Sequence, residues 1–387
     1  MTASWLPPPA DYATVLKAGS ETETALVRRI LEEVGIPVIV RSRQVPGYGD
    51  VIQKASGVWA DVLVPVAYES AARQYVTGYL RQMREAGTVS RFAGIIPPLV
   101  TLFDRDGRID EGANREHIDR LIDGGVHAVF ALGSTGETMH LTTEERRAFA
   151  SLVVRHVNGR VPVVVGCLNT STPEAVALAR HAEETGADGV IVIPPYYWTP
   201  NDEAIEAHIG GVAGAVRLPV LVYNFPAVVG RNIPPALVAG LAARHENVLG
   251  IKETIDSISH IHEVIALVKP SKPAFSVLCG YEFHLLNTLL SGGDGCIPAV
   301  ANFAPQPSVA IYEHTRAGRL AEAAAVMRQR LQLAMLYQLD APFFVVIKEA
   351  MVLLGQIPHA TVRPPTPPLS EANRRRLRDL LTSAGLL

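Results

Sequence analysis

The sequence has few cysteines, and they form no paired motif. Cys167, Cys279 and Cys296 are widely separated along the 387 residues, so they predict neither a disulfide framework nor a zinc site. The twelve histidines are not grouped at the spacing of metal ligands either. We therefore expect no bound metal ion.

The sequence also lacks an excess of charge and any long apolar run. Its 35 Lys and Arg against 38 Asp and Glu leave a net charge of −3 without a basic cluster, so neither nucleic acid nor a membrane surface is expected as a partner. The most apolar runs, such as Val161 to Val165, are far too short to span a bilayer. Because Met1 to Tyr12 lacks the features of a signal peptide, we expect a cytoplasmic protein.

The chain has enough apolar residues and enough length for more than one domain. Hydrophobic residues make up 48% and charged residues 19%, a balance that excludes disorder of the whole chain. Its length exceeds that of a usual single domain. Since the residue pattern changes near residue 94, we expect a small domain over residues 1–88, a catalytic domain over 92–304 and a helical extension over 305–387.

The first 88 residues predict a small α+β domain with the order β-α-β-β-α. Ser20 and Glu23 have the spacing of a capping box, and Gly35 is placed to end the helix that they begin. Residues 85–90 are a plausible linker. The predicted strands are 12–18, 36–41 and 59–66, and the second helix is 67–83. This pattern resembles a small domain found in bacterial proteins assigned to signal transduction, and the resemblance implies a fold without a settled chemistry.

From about residue 94, short apolar segments alternate with helical ones. The segments are continuously apolar, as a parallel sheet buried on both faces requires. Eight such units in roughly 210 residues predict an α/β fold, a (β/α)8 TIM barrel. A doubly wound sheet is the alternative, but the sequence has no Gly-x-Gly-x-x-Gly after a first strand. The predicted strands are 95–102, 128–132, 161–165, 189–193, 219–223, 248–252, 275–278 and 295–297.

Lys252 is the candidate nucleophile. The reacting groups of a barrel lie at the C-terminal ends of its strands, and Lys252 ends the apolar run Val-Leu-Gly-Ile-Lys. A buried ammonium without a partner is costly, so such a lysine tends to lose its proton. The neutral amine can condense with a carbonyl carbon to form an iminium. The alternative is a lysine paired with Glu253 or reaching the barrel mouth.

Two further strand ends carry suitable groups. Tyr223 ends the preceding strand, where its phenol can approach Lys252 and carry protons; otherwise it is a tyrosine packed in the core. Gly133-Ser-Thr-Gly offers hydroxyls and backbone N–H groups at a strand-to-helix turn, which suits a carboxylate; otherwise it is an ordinary tight loop. Glu137 is expected to hold that loop in place.

The motifs together resemble the dihydrodipicolinate synthase / N-acetylneuraminate lyase family of class I pyruvate aldolases, from about Gly94 into the C-terminal helices. The matching residues are Thr101, Gly133-Ser-Thr-Gly-Glu137, Leu141-Thr-x-x-Glu-Arg146, Gly166, Pro195-Tyr-Tyr197, Tyr223-Asn-x-Pro226, Gly250-Ile-Lys-Glu253, Gly280 and Gly292-Gly-Asp-Gly-Cys-Ile297, with Ala301-Asn302 after it.

The resemblance implies a role for each site residue. Lys252 corresponds to the Schiff-base lysine and Tyr223 to the general acid/base, and Ser134 takes part in the proton relay. The residues that it implies for substrate binding are Gly133, Ser134, Thr135, Tyr197, Gly280 and Ile297. Of these, Tyr197 is expected to reach the site of a neighbouring subunit. It also implies a homo-oligomer, a tetramer or a dimer, that needs no cofactor and acts on a 2-oxo acid and an aldehyde.

Several functions remain open on this basis. The leading one is aldol cleavage or condensation through a pyruvate enamine, on a sugar-acid or aromatic aldehyde substrate. The alternatives are 4-hydroxy-tetrahydrodipicolinate synthase, a dehydratase of 2-oxo sugar acids, and a non-catalytic sensor of 2-oxo acids. The synthases place an arginine two residues after the motif's proline, where this chain has Val228, and an apolar side chain cannot clamp a carboxylate. Arg231 is the nearest substitute, and the N-terminal domain is a further departure from the family.

Overall fold

In a computed structural model, the chain is described over residues 11–18, 21–42, 60–85 and 92–387. It forms two compact units: the smaller contains Met1–Arg91 and Glu313–Glu322, and the larger contains Phe92–Tyr312 and Ala323–Leu387. Ser20 and residues 86–90, which carry the predicted helix cap and most of the predicted linker, lie outside the described residues. The three-part division of the chain stays a prediction.

The N-terminal unit contains an antiparallel sheet of three strands and two helices. The strands are β1 (Tyr12–Ala18), β2 (Ile39–Ser42) and β3 (Ala60–Pro65), in the order β1-β3-β2. The helices are α1 (Glu21–Glu33) and α2 (Glu69–Glu85), with a 3-10 turn at Val66–Tyr68 before the second. Apolar side chains from the helices and from alternate positions of β3 form its core: Val27, Leu31, Val62, Val64, Ala72 and Val76.

The larger unit contains eight parallel strands, which confirms the predicted parallel barrel sheet. The two ends of the sheet are joined, because Leu99 donates its N–H to the Phe130 carbonyl over 2.8 Å and Pro98 bridges to Phe130. The strand order is β4-β11-β10-β9-β8-β7-β6-β5. The strands are β4 (Gly94–Ile95), β5 (Val129–Ala131), β6 (Val163–Gly166), β7 (Gly189–Val192), β8 (Val220–Asn224), β9 (Val248–Glu253), β10 (Ser276–Cys279) and β11 (Gly295–Cys296).

Helices follow the strands and continue beyond the barrel. Thr142 and Glu145 form a capping box at the start of one of them. In the part of the chain that the structure describes, no helix is long and apolar enough to cross a membrane. The helices are Glu111–Asp123, Thr143–Val157, Thr172–Thr185, Asp202–Ala213, Pro226–Val229, Pro235–Arg244, Ile258–Val268, Leu285–Leu290, Pro305–Arg316, Leu320–Arg330, Phe344–Leu353 and Glu371–Ser383, with 3-10 turns at Ser134–Gly136, Thr138–His140, Glu282–His284, Ala299–Asn302 and Leu331–Gln338.

The sheet is buried on both faces, and this decides which side chains reach the barrel interior. On β8, Leu221 and Tyr223 belong to the cluster inside the barrel, whereas Val220 and Val222 pack outwards against the helices. Successive side chains of a strand alternate between faces. Tyr223 and its neighbour across the sheet, Lys252, are therefore turned towards the interior at the C-terminal ends of their strands.

Candidate active site

A cavity of about 140 Å³ lies at the C-terminal ends of the strands. Its lining mixes one amine and several hydroxyl groups with apolar and aromatic side chains, as in most small-molecule sites. The lining residues are Pro98, Thr135, Tyr223, Phe225, Ala227, Lys252, Thr254, Gly280, Tyr281, Ile297, Ala299, Tyr337 and Phe343.

Lys252 and Tyr223 form a hydrogen-bonded pair in this cavity. They lie directly opposite each other on β9 and β8, and Lys252 Nζ donates to Tyr223 Oη over 3.1 Å. Lys252 is only 4% exposed. Its amine also lies 4.2 Å from the centroid of the Tyr223 ring. The pair thus places a primary amine next to a phenol where bulk water is largely excluded.

Glu253 does not provide the salt bridge that was the alternative for Lys252. It occupies the opposite face of β9, where its Oε2 accepts from Asn224 Nδ2 over 2.8 Å and lies 3.4 Å from His260 Nδ1. Burial alone would lower the pKa of His260, but the hydrogen bond and charge of Glu253 raise it above its usual value. Asn224 and Glu253 therefore form a second polar pair between the same two strands, on the opposite face of the sheet from Lys252 and Tyr223.

The Gly133-Ser-Thr-Gly segment forms a 3-10 turn beside the cavity. Ser134 Oγ lies 3.5 Å from Tyr223 Oη, which is long for a hydrogen bond between hydroxyls. Thr135 lines the cavity itself, and the turn is fixed from outside because Thr101 Oγ1 donates to the Gly136 carbonyl over 2.6 Å. The N–H groups of Ser134 and Thr135 lie at the start of the turn. They therefore have no carbonyl acceptor within it.

The backbone around this turn is strained in ways that its neighbours accommodate. Leu132 and Glu137, on either side of the turn, both have positive φ, at 61° and 55°. Such residues persist only where the surrounding structure determines them. Gly166 on the next strand leaves room for the Leu132 carbonyl, because a Cβ there would lie 2.2 Å from that oxygen. A Cβ on Gly133 would likewise lie 2.7 Å from the Phe130 ring.

The structure brings most, but not all, of the predicted site residues together. The lining includes Lys252, Tyr223, Thr135, Gly280 and Ile297. Ser134 adjoins Tyr223, and Gly133 is buried next to Phe130, outside the lining. Tyr197 is 90% exposed and does not line this cavity.

The position at which the synthases carry an arginine, Val228, and its nearest substitute, Arg231, also lie outside the cavity lining. Val228 is half-exposed on the short helix Pro226–Val229, and its neighbour Ala227 lines the cavity instead. The guanidinium of Arg231 is bound to the carboxylate of Asp202. Neither residue therefore places a charge in the cavity.

Sequence reasoning missed several lining residues. Thr254 and Tyr281 directly follow Glu253 and Gly280, so the strand-end rule could have found them. Tyr337 and Phe343 belong to the C-terminal region, where no local pattern indicates that a side chain reaches the barrel.

The arrangement is suited to imine chemistry. A primary amine next to a phenol can attack a carbonyl carbon and exchange protons with the substrate, and hydroxyl and N–H donors nearby can hold a carboxylate. Over the described ranges, 11–18, 21–42, 60–85 and 92–387, no three or more His, Cys, Asp and Glu side chains are grouped to hold a metal ion.

Comparison with known proteins finds relatives that align with the larger unit. A model of the dihydrodipicolinate synthetase family matches residues 91–384. The chain is 47% identical over 295 residues to YagE of Escherichia coli K12, provisionally named a 2-dehydro-3-deoxy-D-gluconate aldolase, covering 76% of this chain and 98% of YagE. It is 45% identical over 299 residues to YjhH of the same organism, provisionally named a 2-dehydro-3-deoxy-D-pentonate aldolase, covering 77% and 99%. A 4-hydroxy-tetrahydrodipicolinate synthase of Methanoculleus marisnigri is 38% identical over 296 residues, covering 76% and 100%.

Two solved structures that match this chain belong to the same family. The crystal structure of YagE in complex with pyruvate matches with a TM-score of 0.75 at 46% identity, and covers 77% of this chain and 100% of that one. Dihydrodipicolinate synthase from Thermotoga maritima matches with a TM-score of 0.73 at 33% identity, covering 76% and 99%. The family match begins at residue 91, so the resemblance of the N-terminal domain to signalling proteins stays a prediction.

Proposed function

The chain belongs to the dihydrodipicolinate synthetase family, and we propose that it is an aldolase that cleaves 2-dehydro-3-deoxy sugar acids to pyruvate and an aldehyde. It is a Schiff-base-forming lyase of the class I aldolase type. The two relatives that are 47% and 45% identical carry provisional names of this activity. Their substrates support the choice of a sugar acid for this chain.

The observation that carries the proposal is the 3.1 Å hydrogen bond from Lys252 Nζ to Tyr223 Oη inside the cavity. In its unprotonated form, the amine adds to the C2 carbonyl of the sugar acid. Tyr223 gives its proton to the departing hydroxyl, so that water is released and an iminium and a tyrosinate remain. Tyr223 takes the proton of the C4 hydroxyl as the C3–C4 bond breaks. The electron pair of that bond moves into the iminium to form an enamine, and the aldehyde leaves.

The remaining steps regenerate the enzyme. A proton is returned to C3 of the enamine, and water adds to the resulting iminium to release pyruvate and the free amine. Ser134 is assigned to pass protons between Tyr223 and the substrate. The distance of 3.5 Å between Ser134 Oγ and Tyr223 Oη supports this role, since such contacts tighten when a substrate binds.

The substrate carboxylate is assigned to the turn at Ser134–Gly136. Thr135 lines the cavity, and the N–H groups of Ser134 and Thr135 lie at the start of the turn. N–H and hydroxyl donors of this kind satisfy a carboxylate. Ile297 and Gly280 shape the pocket for the three-carbon unit. A Cβ on Gly280 would lie 2.2 Å from Thr254 Oγ1, so only glycine leaves this wall unobstructed.

Tyr197 is assigned to a neighbouring subunit's site in a homo-oligomer. Its side chain is 90% exposed and its φ is +84°, which indicates a backbone held for a purpose. The ring of Tyr197 contacts that of Trp198, and their centroids are 5.8 Å apart. Trp198 is itself 81% exposed. Light scattering of the wild type and of Tyr197→Ala tests this: the variant should form smaller species, and an unchanged mass with full activity would contradict the assignment.

Trapping with borohydride tests the central step. The protein is incubated with pyruvate and borohydride, and peptide mass spectrometry locates the adduct. We expect reduced pyruvate on Lys252, none in Lys252→Met, and an unchanged yield in Lys269→Met, since Lys269 is paired with Asp294 outside the cavity. Absence of an adduct in the folded wild type would overturn the proposal.

A substrate screen separates the aldolase from 4-hydroxy-tetrahydrodipicolinate synthase. The synthase relative at 38% identity makes aspartate semialdehyde a necessary comparison. Among the described residues that line the cavity, Lys252 is the only one with a basic side chain, and it is bonded to pyruvate during the reaction. The carboxylate of aspartate semialdehyde therefore has no clamp. We expect a higher kcat/KM with 2-dehydro-3-deoxy-D-gluconate or the corresponding pentonate than for condensation of pyruvate with aspartate semialdehyde.

A further inference from the structure

Two tyrosines of the cavity have no part in the imine chemistry. Tyr281 follows β10, and Tyr337 comes from the 3-10 turn Leu331–Gln338 in the C-terminal region. Their rings meet edge to face with centroids 5.6 Å apart. Tyr337 also packs against Phe343, again with centroids 5.6 Å apart. The Tyr337 ring is thus held between two other lining residues.

The hydroxyl of Tyr337 is fixed by a buried carboxyl group. Tyr337 Oη donates to Glu282 Oε2 over 2.7 Å. Glu282 is 9% exposed, and its other oxygen, Oε1, has no hydrogen-bond partner. Burial raises the pKa of Glu282 to about 7. A buried carboxyl group with one unsatisfied oxygen is costly to keep, which indicates that its contact with Tyr337 serves a function.

The rest of the lining limits what kind of aldehyde could bind there. Lys252 and Tyr223 are assigned to the bond-making chemistry and Thr135 to the substrate carboxylate. The hydroxyls of Thr254, Tyr281 and Tyr337 are then the remaining side-chain polar groups among the described lining residues. An aldehyde with a carboxylate or a phosphate would be desolvated without an opposite charge. Neutral hydroxyaldehydes match these hydroxyls.

We infer that Tyr337 is a specificity-determining residue that accepts a hydrogen bond from a hydroxyl of the aldehyde half of the substrate, and that Glu282 is its positioning residue. Because the Tyr337 proton is donated to Glu282, the lone pairs of the phenol oxygen remain available to a ligand hydroxyl. Tyr337 has this role only if the proposed aldol reaction takes place at Lys252. It extends that reaction to neutral hydroxyaldehydes as a class.

The test compares two aldehydes of equal carbon number, glyceraldehyde and propanal, in condensation with pyruvate. Both meet the same enamine, so the ratio of their kcat/KM values reports the aldehyde half alone. A site built to bind a hydroxyl discriminates against a ligand that lacks it. We expect Tyr337→Phe to lower kcat/KM for glyceraldehyde by about tenfold to a hundredfold and that for propanal by less than about threefold.

Variants of Glu282 test the positioning role without removing the phenol. Glu282→Gln keeps an acceptor for Tyr337, so the preference for glyceraldehyde should be retained. Glu282→Leu removes the acceptor, so the preference should fall as in Tyr337→Phe. Equal losses for both aldehydes, or an unchanged ratio in Tyr337→Phe and Glu282→Leu, would overturn the inference.

Borohydride trapping of pyruvate separates this inference from the proposed function. The adduct on Lys252 should form in Tyr337→Phe and Glu282→Leu as it does in the wild type. An adduct together with an unchanged aldehyde ratio overturns the role of Tyr337 alone. Absence of the adduct in the wild type overturns the aldol reaction, and the role of Tyr337 with it.

Discussion

Lys348 and Glu137 form a fully buried ion pair that joins the C-terminal helix Phe344–Leu353 to the residue after the Ser134–Gly136 turn. Lys348 Nζ also donates to the Thr361 carbonyl over 2.8 Å. Burial lowers the pKa of Lys348 to about 8 although Glu137 opposes the shift. The second oxygen of Glu137 accepts from the Arg363 N–H over 3.1 Å. The C-terminal region therefore holds in place the turn that is assigned to the substrate carboxylate.

Removing one partner of this pair should be more harmful than removing both charges. Lys348→Met leaves the Glu137 carboxylate buried without its cation, and we expect a loss of about 3–5 kcal/mol in the free energy of unfolding. In the double variant Lys348→Met with Glu137→Gln, the loss should be smaller, because no charge is stranded. Urea unfolding followed by circular dichroism measures both. A loss in Lys348→Met equal to that of the double variant would contradict this account.

The barrel strands are predictable from sequence because each is a short apolar run between turn and helix signals. Val220–Asn224 and Val248–Glu253 lie within one residue of their predicted positions at each end. The first strand is the exception, since a run over 95–102 was expected and β4 ends at Ile95. Pro97 and Pro98 have no N–H for a sheet hydrogen bond, so beyond β4 the pairing with β5 is reduced to a single bridge at Pro98.

The candidate site is predictable only where a strand end carries it. Lys252 and Tyr223 are found because a parallel barrel presents its strand ends on one side. Tyr337 follows Lys252 by more than eighty residues and lies in a segment with no strand pattern. Its place in the cavity depends on the packing of the C-terminal region, which periodicity does not specify. The role of each site residue stays a prediction until the variants are measured.

Tyr223→Phe should reduce turnover while leaving the fold intact. The ring contacts with Phe130 and Phe225 persist in the variant, but Lys252 loses its hydrogen-bond partner and the reaction loses its proton carrier. We expect kcat for cleavage of the sugar acid to fall by roughly 10²–10⁴-fold. Tyr312→Phe is the matched control, because Tyr312 packs on His127, which precedes β5, and neither residue lines the cavity. Comparable kcat values for the wild type and Tyr223→Phe would remove the assigned role.

Gly280→Ala should damage the cavity because the space for a Cβ is already filled. The added carbon would lie 2.2 Å from Thr254 Oγ1 and 2.8 Å from Thr254 Cα. Such overpacking costs about 1–3 kcal/mol, and we expect at least a tenfold loss in kcat/KM as Thr254 is displaced, since small misplacements at a reacting centre have large effects. Steady-state kinetics and urea unfolding measure the two effects.

Gly112→Ala is the control for this substitution. Its Cβ would meet nothing closer than Asp110 Oδ1, 3.5 Å away, on the exposed start of a helix. Alanine favours a helix over glycine by about 1 kcal/mol, so we expect no loss of stability or activity. If Gly280→Ala has the same stability and kcat/KM as Gly112→Ala, the cavity wall at Thr254 can move to admit the added carbon.

Arg231→Ala should leave substrate affinity unchanged. The guanidinium is bound to Asp202 outside the cavity, and a partly exposed ion pair contributes at most about 1 kcal/mol to stability. We expect KM for the aldehyde and for the sugar acid to stay within about twofold of the wild type. An increase in KM of tenfold for a carboxylate-bearing aldehyde would show that Arg231 turns inwards when that substrate binds.

Glu282→Gln should change how stability depends on pH. The pKa of Glu282 is raised by burial from 4.5 to about 7, so between these values the folded protein holds a proton that the unfolded chain has lost. The contribution of Glu282 to the stability of the wild type is therefore fully present below pH 4.5 and is lost as the pH rises through 7. Glutamine is neutral throughout, so the variant should gain stability relative to the wild type, by on the order of 2 kcal/mol between pH 5 and 8.

The difference between the two proteins isolates Glu282 from the other groups that titrate in this range. Burial lowers the pKa of His117 and of His208 to about 4, so both favour the folded state increasingly as the pH rises from 4 to 6.5. They act equally in the wild type and in Glu282→Gln, and they cancel when one free energy of unfolding is subtracted from the other. Urea unfolding at several pH values gives that difference. A difference that does not grow between pH 5 and 8 would mean that Glu282 is ionised in the folded protein across this range, with its charge compensated by groups other than Tyr337.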